Sequence, residues 1–177
     1  MTIEEVDKFH WVGTIETYTG TAVDVVNLKA DMVNITDIVR SLSNICRYNG
    51  HIPSFYSVAE HSVRCAWWVR INGGSILQQR AALLHDAAEA YVGDMVRPLK
   101  RHAVGKAHQE LEDAVSTVIA EKFGIPYPLP DICHDADRET YYWEVANIRT
   151  GKRKGWPPAE SYTSFMSRFN FLGFDVA

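Results

Sequence analysis

Ala81-Ala82-Leu83-Leu84-His85-Asp86-Ala87-Ala88-Glu89-Ala90 is the stretch on which the reading of this chain turns. An Ala/Leu-rich run of this kind predicts a buried helix, and His85-Asp86 interrupts it at its centre. Glu89 follows His85 by four positions, which on a helix places both side chains on one face. Two ionisable groups side by side in apolar surroundings are costly unless something pairs or binds them. A divalent metal ion would do so, because imidazole and carboxylate are both among its natural ligands. A polar patch at a helix end is the plainer alternative, and the rest of the chain has to decide.

The segments on either side carry helix start and stop signals. Ile35, Ile38, Val39, Leu42 and Ile45 recur at helical spacing, with Asn34 or Thr36 as the cap and an exit near 47–50 before Pro53. Ser57, with Glu60 completing a capping box, opens a second helix that runs to Ile71 and stops at Asn72-Gly73-Gly74. Ser75 caps the helix that carries the quoted stretch, expected to continue to about Val92-Gly93. A loop or short turn follows over 94–100, since Pro98 disfavours helix at Arg97. Then come a long amphipathic helix over about 104–123 with Gly124 as its C-cap, a stiff connector at Pro126, Pro128 and Pro130, and a helix over 131–149 capped by Asp131. A basic loop at 150–158 leads to a last helix over about 160–171. At the other end, residues 1–10 are polar and expected to pack loosely. Residues 14–18 and 22–25 alternate as a small β-hairpin around Gly20-Thr21. The expected fold class is all-α: a compact helical bundle forming one domain over 1–177, with 1–30 as an N-terminal hairpin extension.

The totals narrow the function. Among 177 residues, 46% apolar and 23% charged is an ordinary balance for a soluble globular protein. A net charge of −4 gives no reason to expect a nucleic-acid partner. No run approaches the roughly 20 apolar residues that cross a bilayer, and the acidic N-terminus lacks a signal-peptide pattern. Cys46, Cys65 and Cys133 are scattered and form no Cys-x-x-Cys pair, which reads as reduced, mostly buried thiols in a cytoplasmic protein rather than a Cys-rich zinc site.

His61 falls on the second predicted helix, His85-Asp86 on the third and Asp137 on the fifth. A single helical histidine is more often a core or surface residue than a ligand. Together these four side chains can ligate one divalent ion and leave positions open for water, which is what metal-assisted hydrolysis requires.

The same residues, with their flanking words, resemble the HD-domain phosphohydrolase superfamily, whose motif is a His, then an adjacent His-Asp, then a later Asp. The words are Tyr56-Ser57-Val58-Ala59-Glu60-His61-Ser62, the run from Leu83 through His85-Asp86 to Asp94, and Ala136-Asp137-Arg138, and the likeness covers roughly 34–149. It implies an HD-type helical bundle holding a divalent metal ion (Mn, Co, Zn, Fe or Mg) on His61, His85, Asp86 and Asp137. Within the superfamily the chain is most similar to small deoxyribonucleotide phosphohydrolases, both the 5′-monophosphate enzymes and the viral enzymes that remove triphosphate from dATP. That likeness implies Glu89 as the catalytic carboxylate and Asp94 as a second acid/base group. It places Arg47 and Tyr48 beside the nucleotide and Lys100 on its phosphate. Tyr48 stands where those enzymes carry Trp, and Gly50 about where the viral ones carry a larger residue. The expected activity is dNMP dephosphorylation or dNTP triphosphohydrolysis by a homo-oligomer, a dimer or larger. The alternatives are hydrolysis of a signalling nucleotide and a non-catalytic nucleotide-binding module. His51 at a pocket rim, His134 near phosphate and a lid at 152–154 are lesser candidates; His102 and His108 read as surface residues.

Overall fold

Short polar side chains set most of the helix starts. Asn34 lies in extended backbone and accepts a hydrogen bond from the Thr36 N–H, opening α1 (Ile35–Asn44). Ser57 does the same for α2 (Val58–Ile71) by accepting from the Glu60 N–H. The expected return bond from Glu60 is not made. Its carboxylate accepts instead from Arg64 (3.0 and 2.6 Å) and from the backbone N–H of Trp156 (2.6 Å), so it ties a distant loop to α2. Ser75 opens α3 (Ile76–Leu83) with a complete capping box through Gln78.

The main departure from expectation comes next. α3 ends at Leu83, the chain turns through 84–88, and a single helical turn follows as α4 (Glu89–Val92). The unbroken helix to Val92 is therefore corrected, and with it the premise that His85 and Glu89 share one helical face. Hydrogen bonds in the break close over three residues: Ala87 N–H to Leu84 O, Glu89 N–H to Asp86 O, Ala90 N–H to Ala87 O. This tighter winding swings His85 and Asp86 inward.

A second single turn, α5 (Arg97–Lys100), begins at Arg97 itself, with Pro98 in the first turn, where its missing N–H costs nothing. α6 (Ala103–Phe123) ends on Gly124 in the left-handed region at φ +61°, as its sequence indicates. α7 (Asp131–Asn147) is capped by Pro130 rather than Asp131, which sits in the first turn facing the positive end of the helix. α8 spans Pro158–Phe171. The hairpin pairs β1 (Thr14–Glu16) antiparallel with β2 (Ala22–Asp24). It is pinned to α1 by Thr19, whose N–H and hydroxyl both donate to Asp37 at 2.7 Å.

This structure, a computed structural model, describes residues 13–174; the segment 1–10 expected to pack loosely lies outside them. The described chain is mostly helical, with one small two-stranded sheet. α2 is the central helix, packed against α1, α3, α7 and α8. Ile38, Leu42, Leu83 and Phe165 are fully buried around it. Cys65 and Cys133 are buried, Cys46 half-buried, and all three are free thiols. Among the described residues no helix is long and apolar enough to cross a membrane.

Candidate metal centre and the cleft above it

The Ser57 cap fixes the first turn of α2 and so the position of His61, which is fully buried. The turn at 84–88 brings His85 and Asp86 to it, and α7 brings Asp137. His61 Nε2 lies 3.2 Å from His85 Nε2, 3.6 Å from Asp86 Oδ2 and 3.2 Å from Asp137 Oδ1, and His85 Nε2 is 3.2 Å from Asp86 Oδ2. With metal–ligand bonds of about 2.1 Å, neighbouring donor atoms around a metal stand about 3.0 Å apart in octahedral and about 3.4 Å apart in tetrahedral geometry. His61 stands at or near those spacings from the other three side chains singled out in the sequence.

The ring nitrogens that face away give the same answer. His61 Nδ1 lies 2.6 Å from Glu144 Oε1, and His85 Nδ1 lies 2.9 Å from the Ala82 carbonyl oxygen. Both neighbours are acceptors, so each Nδ1 carries a proton and, in the neutral rings, each Nε2 presents a lone pair. Two lone pairs facing each other at 3.2 Å beside two carboxylates repel unless a cation lies between them. Protons take that place when nothing else does. Burial opposes the charged form of His85, but Asp86 and Cys65 beside it together outweigh burial and lift the imidazole to about 9. Asp137, despite its burial, is held down at about 2, chiefly by its bond to His61. The donor set fits a divalent ion. Cys65, one turn beyond His61, adds a buried thiol 3.5 Å from His61 Nε2, and donors from His61, Cys65 and His85 lie within 4.8 Å of one another. The sequence reading looked for cysteine pairs and passed over this single one.

Above these side chains opens a cleft of 910 Å³. The residues named from the sequence as catalytic or substrate-binding line it, Arg47, Tyr48, Glu89, Asp94 and Lys100, and so does His51. Glu89 is buried and its Oε2 has no hydrogen-bond partner among the described residues. Burial, and then the charges of Asp86 and Asp94, push its carboxyl well above the ordinary glutamate value. Burial raises Asp94 as well. Lys100 is not a free cation. Its Nζ sits 3.0 and 3.1 Å from the two oxygens of Glu112 and 4.0 Å from Glu89 Oε1.

Arg47 and Tyr48 are also turned inward. Arg47 reaches Glu144 Oε2 at 3.4 Å and Asp86 Oδ2 at 3.6 Å, and the Tyr48 hydroxyl donates to Glu144. Tyr48 and Asn49 take left-handed backbone, at φ +61° and +51°.

Sequence reasoning missed Glu144, Arg97, Arg101 and Arg149. Glu144 lies on α7 seven residues after Asp137, two turns along the same face, which is the one signal that could have found it. Arg97 donates to Asp137 Oδ2 at 3.2 Å. Arg101 and Arg149 line the cleft with no acidic partner among the described residues. Of the aromatic run on α7, Tyr141 lines the cleft, Tyr142 is exposed, and the Trp143 ring lies 3.9 Å beneath the Arg64 guanidinium. His134, His102 and residues 152–154 are exposed and outside the cleft, whereas His108 is half-buried and hydrogen-bonds the Val92 carbonyl at 3.2 Å.

No family model matches the chain. The protein YfdR of Escherichia coli strain K12, described as uncharacterized, is 34% identical over 177 residues, covering 89% of this chain and 94% of its own length. The chain belongs to the family of YfdR. An uncharacterized protein of Rhodobacter capsulatus is 41% identical over 102 residues, which is 55% of this chain and 52% of that protein.

Proposed function

We propose that this chain is a divalent-metal-dependent phosphohydrolase of the HD type that acts on deoxyribonucleotides. The observation that carries the reading is the meeting of His61, His85, Asp86 and Asp137 at ligand spacing, with both Nε2 lone pairs facing inward, on the floor of a cleft lined by arginines. When bound there, a divalent ion supplies a Lewis acid that acidifies water and offsets phosphate charge.

The chain's own residues do the rest. Glu89, its carboxyl raised by burial, holds a proton closer to neutral pH than an ordinary glutamate and can pass it to a leaving oxygen. Asp94, raised in the same direction, is a second proton carrier in the lining of the cleft. Arg101 and Arg149, free of acidic partners among the described residues, offer planar guanidinium forks to phosphate oxygens. Lys100, held by Glu112, contributes charge at longer range.

The test is a panel of dNMPs and dNTPs incubated with metal-loaded protein, with products separated by chromatography. Released phosphate or released triphosphate supports the reading and decides between its two forms. Inertness towards every substrate with metal bound refutes it, as does full turnover by Asp86→Ala.

A further inference from the structure

The geometry points to Glu144, Tyr48 and Arg47 as a brace that fixes the tautomer and orientation of His61, so that Arg47 and Tyr48 serve the metal site rather than the nucleotide. This rests on the metal-site reading above. Glu144 is fully buried, and both its oxygens are engaged. Oε1 accepts from His61 Nδ1 at 2.6 Å; Oε2 accepts from the Tyr48 hydroxyl and lies 3.4 Å from Arg47 Nε. A carboxylate on the rear nitrogen of a ligating imidazole locks the lone pair of the other nitrogen towards the metal and makes it a stronger donor.

Arg47 extends the unit. Its side chain is only 12% exposed and spans from Glu144 to the ligand Asp86, holding the rear carboxylate and a front one at a set separation. Tyr48 reaches Glu144 because its own backbone is left-handed, a conformation that residues with a side chain rarely adopt. A tyrosine free to stack on a base would need neither that backbone nor that hydroxyl bond. Both residues were expected to touch substrate, and both are already committed to holding the site.

Positioning of this kind is read by metal affinity in the absence of nucleotide. Co²⁺ is titrated into metal-free wild type, Tyr48→Phe, Glu144→Gln and Lys152→Ala, following the visible spectrum of the bound ion. ¹⁵N-histidine spectra of the Zn²⁺-loaded proteins report the Nδ1–H of His61. Glu144→Gln should weaken Co²⁺ binding by about 10–100-fold, the usual effect of losing a partner behind a metal ligand. Tyr48→Phe should weaken it in the same direction, while Lys152→Ala, exposed and outside the cleft, keeps wild-type affinity. The hydrogen-bonded His61 Nδ1–H resonance should shift upfield in Glu144→Gln, since an amide oxygen is a weaker acceptor than a carboxylate. Wild-type Co²⁺ affinity in both Tyr48→Phe and Glu144→Gln overturns the brace, and Tyr48→Phe alone decides if Glu144→Gln does not fold. A wild-type protein that binds Co²⁺ but hydrolyses no nucleotide refutes the proposed function and leaves the brace to be judged by the affinities. A wild type that binds no divalent ion overturns both.

Discussion

Gly105→Ala should destabilise the protein although it puts the best helix former into a helix. Gly105 lies in the first turns of α6, directly against the end of α5. A Cβ added there would stand 2.4 Å from the carbonyl oxygens of both Leu99 and Lys100 and 2.5 Å from the Lys100 carbonyl carbon. Real Cβ contacts begin at 3.0 Å and become comfortable at 3.4 Å, so α5 has to retreat by about 0.6–1.0 Å. The obstacle is backbone, which cannot rotate aside. Alanine in place of glycine gains about 1 kcal/mol of helix propensity. Overpacking costs about 1–3 kcal/mol, and a clash with two backbone oxygens belongs at the upper end. The net loss is about 2 kcal/mol, or about 4–8 °C in Tm for a chain of this size. Urea and thermal unfolding measure it directly. Because α5 carries Arg97 and Lys100 into the cleft, KM for nucleotide should rise while metal affinity stays the same. A Gly105→Ala protein as stable as wild type, or more so, would refute the steric reasoning.

Two further outcomes bear on the chemistry. Stripping divalent ions with a chelator should lower Tm, and restoring them at about 100 times their Kd should return about 2.7 kcal/mol of stability by mass action; a Tm indifferent to metal contradicts the site. Glu89→Gln should cut turnover by about 10²–10⁴-fold with Co²⁺ affinity kept. Since Glu89 is raised by burial, the wild-type rate should fall as pH climbs past its folded-state value and the acid loses its proton, and the variant should lack that limb of the pH profile.

What could be read in the sequence follows from where each determinant lies. The starts of α1, α2 and α3 depend on Asn34, Ser57 and Ser75 bonding their own next turn, and the end of α6 on Gly124, so these were legible. The metal candidates were legible because His61, His85, Asp86 and Asp137 form an ordered pattern. The break at 84–88 was not. No Gly or Pro lies between Ala81 and Val92, and periodicity cannot distinguish an Ala-rich helix from an Ala-rich turn. Its cause is tertiary, visible only once His85 Nδ1 is seen on the Ala82 carbonyl and Nε2 against His61. Glu144 was missed for a related reason. A carboxylate on a helix reads as solvated until His61, Tyr48 and Arg47, 83 to 97 positions away, close over it. Arg101 and Arg149 look like any surface arginine until the cleft gathers them.

Charge in the cleft is layered, with Asp86 and Asp137 at the floor and Arg101 and Arg149 on the walls. A phosphate drawn in by the walls meets repulsion at the floor until a cation has lodged there. On the proposed function, loading then has an order, cation before nucleotide. By linkage each ligand would tighten the other by the same factor, so a nucleotide in the cleft would raise the affinity of the floor for its metal.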